Sequence, residues 1–249
     1  MKAQVKTEAE IAAMRHGGRI LATVLQNLSD ELTAGMTTLD LDELATSKTQ
    51  ALGGSPAFLG HEGFPKSICV SVNDEIVHGI PGRRVLVEGD IVGLDFGVRY
   101  QDMITDSAVT VAVGAASGPS ERLLKATREA LYAGIDQATA GCHVGDIAAA
   151  VEQRLRAANL GIIQELAGHG VGRELWEEPQ IPNLGTAGSG TVLTAGMTVA
   201  IEPMATLGNP AIQILDDNWT IVTRDGSLAA QFEHTILVTD GVAEILTQL

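Results

Sequence analysis

A mixed α/β architecture, built from two related halves that share one sheet, is what this sequence predicts, on three observations. Apolar residues recur at helical spacing in some segments and form short strand-like runs in others. The segment VLVEGDIVGLD is echoed by VLTAGMTVAIE, so that Leu86, Gly89, Val92 and Asp95 align with Leu193, Gly196, Val199 and Glu202 at an offset of 107 residues. Asp95, Asp106, His169, Glu202 and Glu233, five side chains able to hold metal, stand in segments that otherwise read as buried strand or glycine-rich turn.

Taken in order, Thr7 followed by Glu10 has the spacing of a capping box and opens the first helix. Behind it Ile11, Met14, Leu21, Val24, Leu25 and Leu28 supply an apolar stripe. A second helix starts at Thr37 or Thr38, runs through Leu41, Leu44 and Ala45, and stops at Gly53-Gly54. Glycine, proline and aromatics dominate residues 55–66, the composition of a loop rimming a site. Strands are predicted over 67–72, 90–97 and 105–112, helices over 119–140 and 146–158, and strands again over 197–203, 219–223 and 229–239. Gly35 and Gly141, each opening a short loop before a helix, align at an offset of 106. Both halves, about 1–112 and 113–249, therefore read helix, glycine turn, helix, then a strand ending in a carboxylate. No Pro/Ser-rich linker separates them, so residues 1–249 are expected to form one domain, with Asp95 and Glu202 near a pseudo-two-fold axis.

The 249 residues can bury a substantial core, and 45% hydrophobic with 19% charged residues are ordinary values for a globular chain. The formal charge is −15, from 31 acidic against 16 basic residues, which argues against a sequence-independent hold on nucleic acid or anionic lipid. The two cysteines, Cys69 and Cys142, make no disulfide framework. No apolar stretch reaches the ~18–20 residues of a membrane span, and the N-terminus lacks a signal-peptide core. The cytoplasm is the expected compartment.

Burying several carboxylates costs several kcal/mol each unless a cation or proton offsets the charge. Four carboxylates with one imidazole suit a pair of hard or borderline divalent ions, and two ions about 3.5–4 Å apart can activate one water and clamp a substrate. Asp95 and Asp106 would pair across a hairpin turning near Tyr100-Gln101, where like charges destabilise a sheet unless a cation bridges them; the spacing alone equally allows two solvated aspartates. His169, in AGHGVG, has glycines on both sides that let the backbone approach a metal. Glu202 precedes Pro203 at the end of an apolar run, and Glu233 lies in another strand-like stretch. His78, before a Gly-x-Pro turn, could present its ring to a cleft as a hydrogen-bond partner or proton carrier, or simply cap the turn.

The segments SICVSVNDEIVHGIP, AGHGVGRELWEEPQIPN, AIEPM and AAQFEHTILVTDG, in this order and with the spaced Asp95/Asp106 pair, resemble type I methionine aminopeptidase in its short bacterial form over essentially the whole chain. The resemblance implies the pita-bread fold, two pseudo-symmetric halves with a central antiparallel sheet flanked by helices, and removal of the initiator methionine from nascent proteins and peptides. It also implies two divalent ions, with Asp95 on one, Asp106 and Glu233 bridging both, and His169 and Glu202 completing the other. The mixed O/N ligand set accepts cobalt, manganese, iron or zinc. An activated water would attack the scissile carbonyl with Glu202 as proton acceptor and donor, while His78 would hold the substrate amide. The expected partner is a peptide or nascent-protein N-terminus, with transient ribosome association, for a monomer that touches neither membrane nor nucleic acid directly.

Several positions depart from the family. A second histidine expected seven residues after His169 is Trp176, although its neighbours Glu177, Glu178, Pro179 and Gln180 match. Tryptophan offers one N–H donor and no acceptor, so it could hold a carbonyl but not relay a proton. The usual Gly-aromatic-His-Gly-Asp run is Asp102-Met103-Ile104-Thr105-Asp106. Around the expected methionine pocket Phe64, Cys69 and Trp219 fit the family, while Phe58, His61 and Leu175 replace its usual residues. Two competing readings are a reduced-activity or non-catalytic binding protein on the same frame, and a proline-directed peptidase, which would bring an extra N-terminal domain.

Overall fold

The computed structural model describes residues 4–249. Its elements in chain order are α1 (Glu8–Glu31), α2 (Thr38–Ala51), β1 (Ser55–Pro56), β2 (Cys69–Val72), β3 (Glu75–Val77), β4 (Ile91–Tyr100), β5 (Met103–Ala112), α3 (Gly118–Ile135), α4 (Val144–Ala157), β6 (Gly161–Ile162), β7 (Ala167–Gly170), β8 (Glu177–Pro182), β9 (Thr198–Ile201), β10 (Met204–Thr206), β11 (Ile212–Ile214), β12 (Ile221–Thr223), β13 (Ala229–Gln231), β14 (His234–Leu237) and β15 (Glu244–Ile245). A 3₁₀ turn, His61–Gly63, interrupts the loop after β1.

The helices start where their side chains cap them. Thr7 Oγ1 accepts the Glu10 N–H while the Glu10 carboxylate accepts the Thr7 N–H, and Thr37 with Asp40 repeats the device at α2. One helix is shorter than predicted. The chain leaves α3 at Ile135, and Thr139 forms a bridge to Thr239 while the Ala140 N–H donates to the Thr239 carbonyl. Tertiary pairing thus takes over a stretch with acceptable helix propensity.

β4 and β5 form a hairpin, and its register corrects the sequence reading. The two-residue turn is Gln101-Asp102, both left-handed at φ 47° and 61°, one residue later than expected. Asp95 consequently faces Ala108, and Asp106 faces Gly97. The two aspartates are diagonal neighbours on one face, not a directly opposed pair. β5 fills one edge of β4 along its whole length, while β2 (against Val92–Asp95) and β1 (against Val98–Arg99) share the other edge, giving a four-stranded sheet. A five-stranded sheet runs β15-β14-β9-β7-β8, and two three-stranded sheets, β13-β10-β6 and β11-β12-β3, complete the framework.

Helices α1 and α2 bury Leu21, Val24, Leu28 and Leu41 against Val70, Leu94 and Phe96, and α3 and α4 bury Leu123, Leu131, Ile147 and Val151 against Val199, Ile201 and Ile236. The two main sheets meet edge to edge. Glu233 N–H donates to the Ala108 carbonyl, Ser107 Oγ donates to the Glu233 carbonyl, and Thr235 Oγ1 takes the Asp106 N–H and gives its own proton to the Asp106 carbonyl. That junction places the aspartates of one sheet beside Glu233 of the other.

Candidate metal centre

Each of the five candidate ligands is delivered by backbone that the fold holds on both sides. Asp95 and Asp106 come from the β4–β5 hairpin, His169 from β7, Glu202 from the residue after β9, and Glu233 from the break between β13 and β14. The β7–β8 register slips between His169 and Gly170, a bulge of the kind that re-aims a side chain. Gly97, opposite Asp106, must be glycine because an added Cβ would stand 2.6 Å from the Phe58 ring. Phe58 is thereby laid over the strand that carries Asp95.

Acceptor atoms of Asp106, His169 and Glu233 all lie within 4.8 Å of one another. His169 Nε2 is 3.7 Å from Glu202 Oε1 and 4.0 Å from Asp106 Oδ2. His169 Nδ1 lies 2.9 Å from the Gly170 carbonyl, which can only accept, so Nδ1 carries the proton and the Nε2 lone pair faces the carboxylates. Burial holds the His169 imidazole near a pKa of about 4, so the ring is neutral and free to ligate at pH 7. The carboxylates shift the other way: burial raises Asp106 to about 7, and burial followed by mutual repulsion raises Asp95, Glu202 and Glu233.

The donor set fits a metal. Asp95 Oδ1, Asp106 Oδ1 and Glu233 Oε1 are buried with no hydrogen-bond partner, and each orphaned acceptor costs about 1–3 kcal/mol. A cation among them would satisfy all three and reverse the repulsion that lifts their pKa values.

All thirteen residues singled out in the sequence line one cavity of about 50 Å³: the five ligands with Phe58, His61, Phe64, Cys69, His78, Leu175, Trp176 and Trp219. His78 sits in the left-handed region at φ 60°, a conformation rare outside glycine and asparagine-like residues, and burial lowers its pKa to about 4. The ring is therefore a neutral hydrogen-bonding group. Aromatic edges define the cavity wall: Phe64 to Trp219 at 5.1 Å and 72°, His78 to Trp219 at 6.3 Å and 80°, and His61 to Trp176 at 4.8 Å and 83°. Burial, then the nearby Asp95 charge, pushes the Cys69 thiol up, so it serves as apolar lining. An outer cleft of about 550 Å³ shares His78, His169, Trp176 and Glu202 with the cavity and opens to the surface.

Sequence reasoning missed the groups that hold Glu202. Gln231 Nε2 donates to Glu202 Oε2 at 3.1 Å and Asn183 Nδ2 to its carbonyl at 3.2 Å. Gln231 lies two residues before Glu233 in a strand-like stretch, and that period of two was the available signal.

A neutral imidazole and four buried carboxylates converging beneath an aromatic-walled cavity define a metal-dependent hydrolase. The model of metallopeptidase family M24 matches residues 12–240, and the chain belongs to that family. It is 42% identical to methionine aminopeptidase 1 of Bacillus subtilis, covering 98% of both chains, and 43% identical to methionine aminopeptidase 1 of Mycobacterium tuberculosis, covering 97% of this chain and 94% of that one. The crystal structure of methionine aminopeptidase from Thermotoga maritima superposes with a TM-score of 0.98 at 42% identity and full coverage of both chains. The architecture is the pita-bread fold. Among the described residues no helix is long and apolar enough to cross a membrane.

Proposed function

We propose that this protein is a methionine aminopeptidase that removes the initiator methionine from peptides and nascent proteins, as one catalytic unit over residues 1–249 whose two halves meet near residue 112. The observation that carries the reading is the convergence of Asp95, Asp106, His169, Glu202 and Glu233 on a cavity walled by Phe64, Cys69 and Trp219, in a chain 42% identical to methionine aminopeptidase 1 of Bacillus subtilis. Asp95 would hold one divalent ion, Asp106 and Glu233 both, and His169 with Glu202 the other. Cobalt, manganese, iron and zinc all suit these donors. Such ions supply a nucleophilic water at neutral pH and polarise the scissile carbonyl.

The remaining work belongs to this chain's side chains. Glu202, oriented by Gln231 and Asn183, takes the water's proton and returns it to the leaving amine. His78, neutral and buried, holds the substrate amide. Phe64, Cys69 and Trp219, reshaped by Phe58, His61 and Leu175, enclose the methionine side chain, while the Trp176 indole N–H faces the substrate carbonyl. The reading places a monomer in the cytoplasm, meeting nascent chains through transient ribosome contact. Turnover of Met-Ala-Ser against Leu-Ala-Ser and Ala-Pro-Ser, with each metal added to stripped protein, tests the assignment. Selective cleavage of the methionyl peptide is expected; preference for the prolyl peptide, or no cleavage with any metal, would sink it.

A further inference from the structure

Trp176 lines both the inner cavity and the outer cleft, so it stands where a peptide leaving the first pocket must pass. The residue is 41% exposed, and its ring meets His61 edge-on. The main chain on both sides of it is tied to its neighbour Glu177. The Glu177 carboxylate takes the N–H groups of Arg173 at 2.7 Å and Glu174 at 3.1 Å on one oxygen, and Lys6 Nζ at 2.6 Å on the other. Residues 173–177 thus close into a ring around that carboxylate, with Lys6 as its plug.

The ion pair is dry: the side chains of Lys6 and Glu177 are 0% and 4% exposed. Lys6 is itself anchored, since its N–H donates to the Gly196 carbonyl at 2.8 Å. The fit is close enough that a Cβ on Gly172 would stand 2.2 Å from Lys6 Cε. On the surface Arg173 pairs with Glu10 at 2.7 Å and reaches Gln4, but exposed pairs of this kind hold little. None of these groups is among the candidate metal ligands or the residues lining the inner cavity.

We propose that Lys6 is a positioning residue: through Glu177 it fixes Trp176 as the wall between cavity and cleft, and so sets how large a second residue the substrate can carry. This rests on the peptidase reading above. Removing one partner of a buried pair leaves a charge that draws the loop toward water, and the wall moves with it.

The test compares kcat/KM for Met-Ala-Ser and Met-Val-Ser in the holoenzyme, alongside the ¹⁹F resonances of 5-fluorotryptophan at Trp176 and Trp219. In Lys6→Met the Ala/Val ratio is expected to fall about fivefold or more, within the range by which a pocket senses one or two methyl groups. The Trp176 resonance should move or broaden while that of Trp219 stays. A readout of this kind separates positioning from a merely structural role, which would lower both peptides alike. If Lys6→Met does not fold, Lys6→Gln, which removes the cation and leaves the Glu177 charge unpaired while still offering an amide N–H, takes its place, and the same two readings apply to it. A folded variant with the wild-type ratio, or with an unmoved Trp176 resonance, overturns the proposal. Wild-type protein that cuts no methionyl peptide would instead sink the peptidase reading, and the Trp176 resonance would still decide whether Lys6 holds the loop.

Discussion

Stripping the metal should turn the protein's stability against rising pH. Burial raises the Asp106 pKa from 3.8 to about 7 in the metal-free fold, so the folded state there holds a proton that the unfolded state releases. A carboxyl group raised in this way imposes no penalty below its unfolded pKa; the penalty grows as pH rises between the two values and is complete above about 7. Between pH 5.5 and 8 Asp106 alone should therefore remove roughly 2 kcal/mol of stability, at about 1.4 kcal/mol per pKa unit. For a chain of this size that is a fall of about 4–8 °C in Tm. The assay is thermal unfolding of chelator-treated protein across this pH range, with Asp106→Asn as the control. The amide cannot titrate and no longer repels Asp95, Glu202 and Glu233, so its metal-free profile should be flatter by at least that amount, and adding metal to wild type should remove the slope. Equal slopes for metal-free wild type and Asp106→Asn would refute the argument that this carboxyl is held protonated by burial.

The same geometry makes three further expectations. Asp106→Asn and Glu233→Gln should each abolish peptide cleavage and lose at least one ion by calorimetry, because a neutral amide cannot balance two cations; near-normal turnover at low metal would contradict the bridging roles. Trp176→His should raise kcat on a methionyl peptide with metal content unchanged, since one lost transition-state partner commonly lowers turnover about 10²–10³-fold; an unchanged kcat with the metal sites filled would count against a substrate-facing Trp176. Gly97→Ala places a methyl 2.6 Å from the Phe58 ring, so denaturation should show a loss of about 1–3 kcal/mol and KM for Met-Ala-Ser should rise, with wild-type values for both showing that Phe58 yields freely.

The candidate site was legible to the extent that the residues singled out in the sequence line one cavity, because their local context is unusual. Carboxylates at the ends of apolar runs, as at Glu202, or within them, as at Asp95, conflict with burial unless something cationic resolves them. Helix starts were equally legible, since Thr7 with Glu10 and Thr37 with Asp40 are complete signals within four residues. Register was not: the turn residues Gln101 and Asp102 carry no glycine, so nothing in the sequence marked the hairpin's centre, and one residue of slip changed which residue Asp95 faces. The end of α3 depends on Thr139 meeting Thr239, and the Lys6–Glu177 pair joins residues 171 positions apart. Contacts of that kind belong to the folded chain and leave no local trace.

The edge-to-edge junction of the two sheets has a consequence for how the protein assembles. Asp95 and Asp106 reach the centre only when β5 has docked against the backbone at Glu233 and Thr235, contacts between residues more than 120 positions apart. Such long loop closures are slow steps in folding. Until they happen each sheet carries a partial set of donors that can catch an ion but cannot enclose one. Metal affinity should therefore climb steeply at a single late stage of folding, and the ion's binding energy is then added to the docking itself. An ion bound at the proposed centre would act as a rivet across the seam, and time-resolved metal uptake during refolding would mark the moment at which the seam closes.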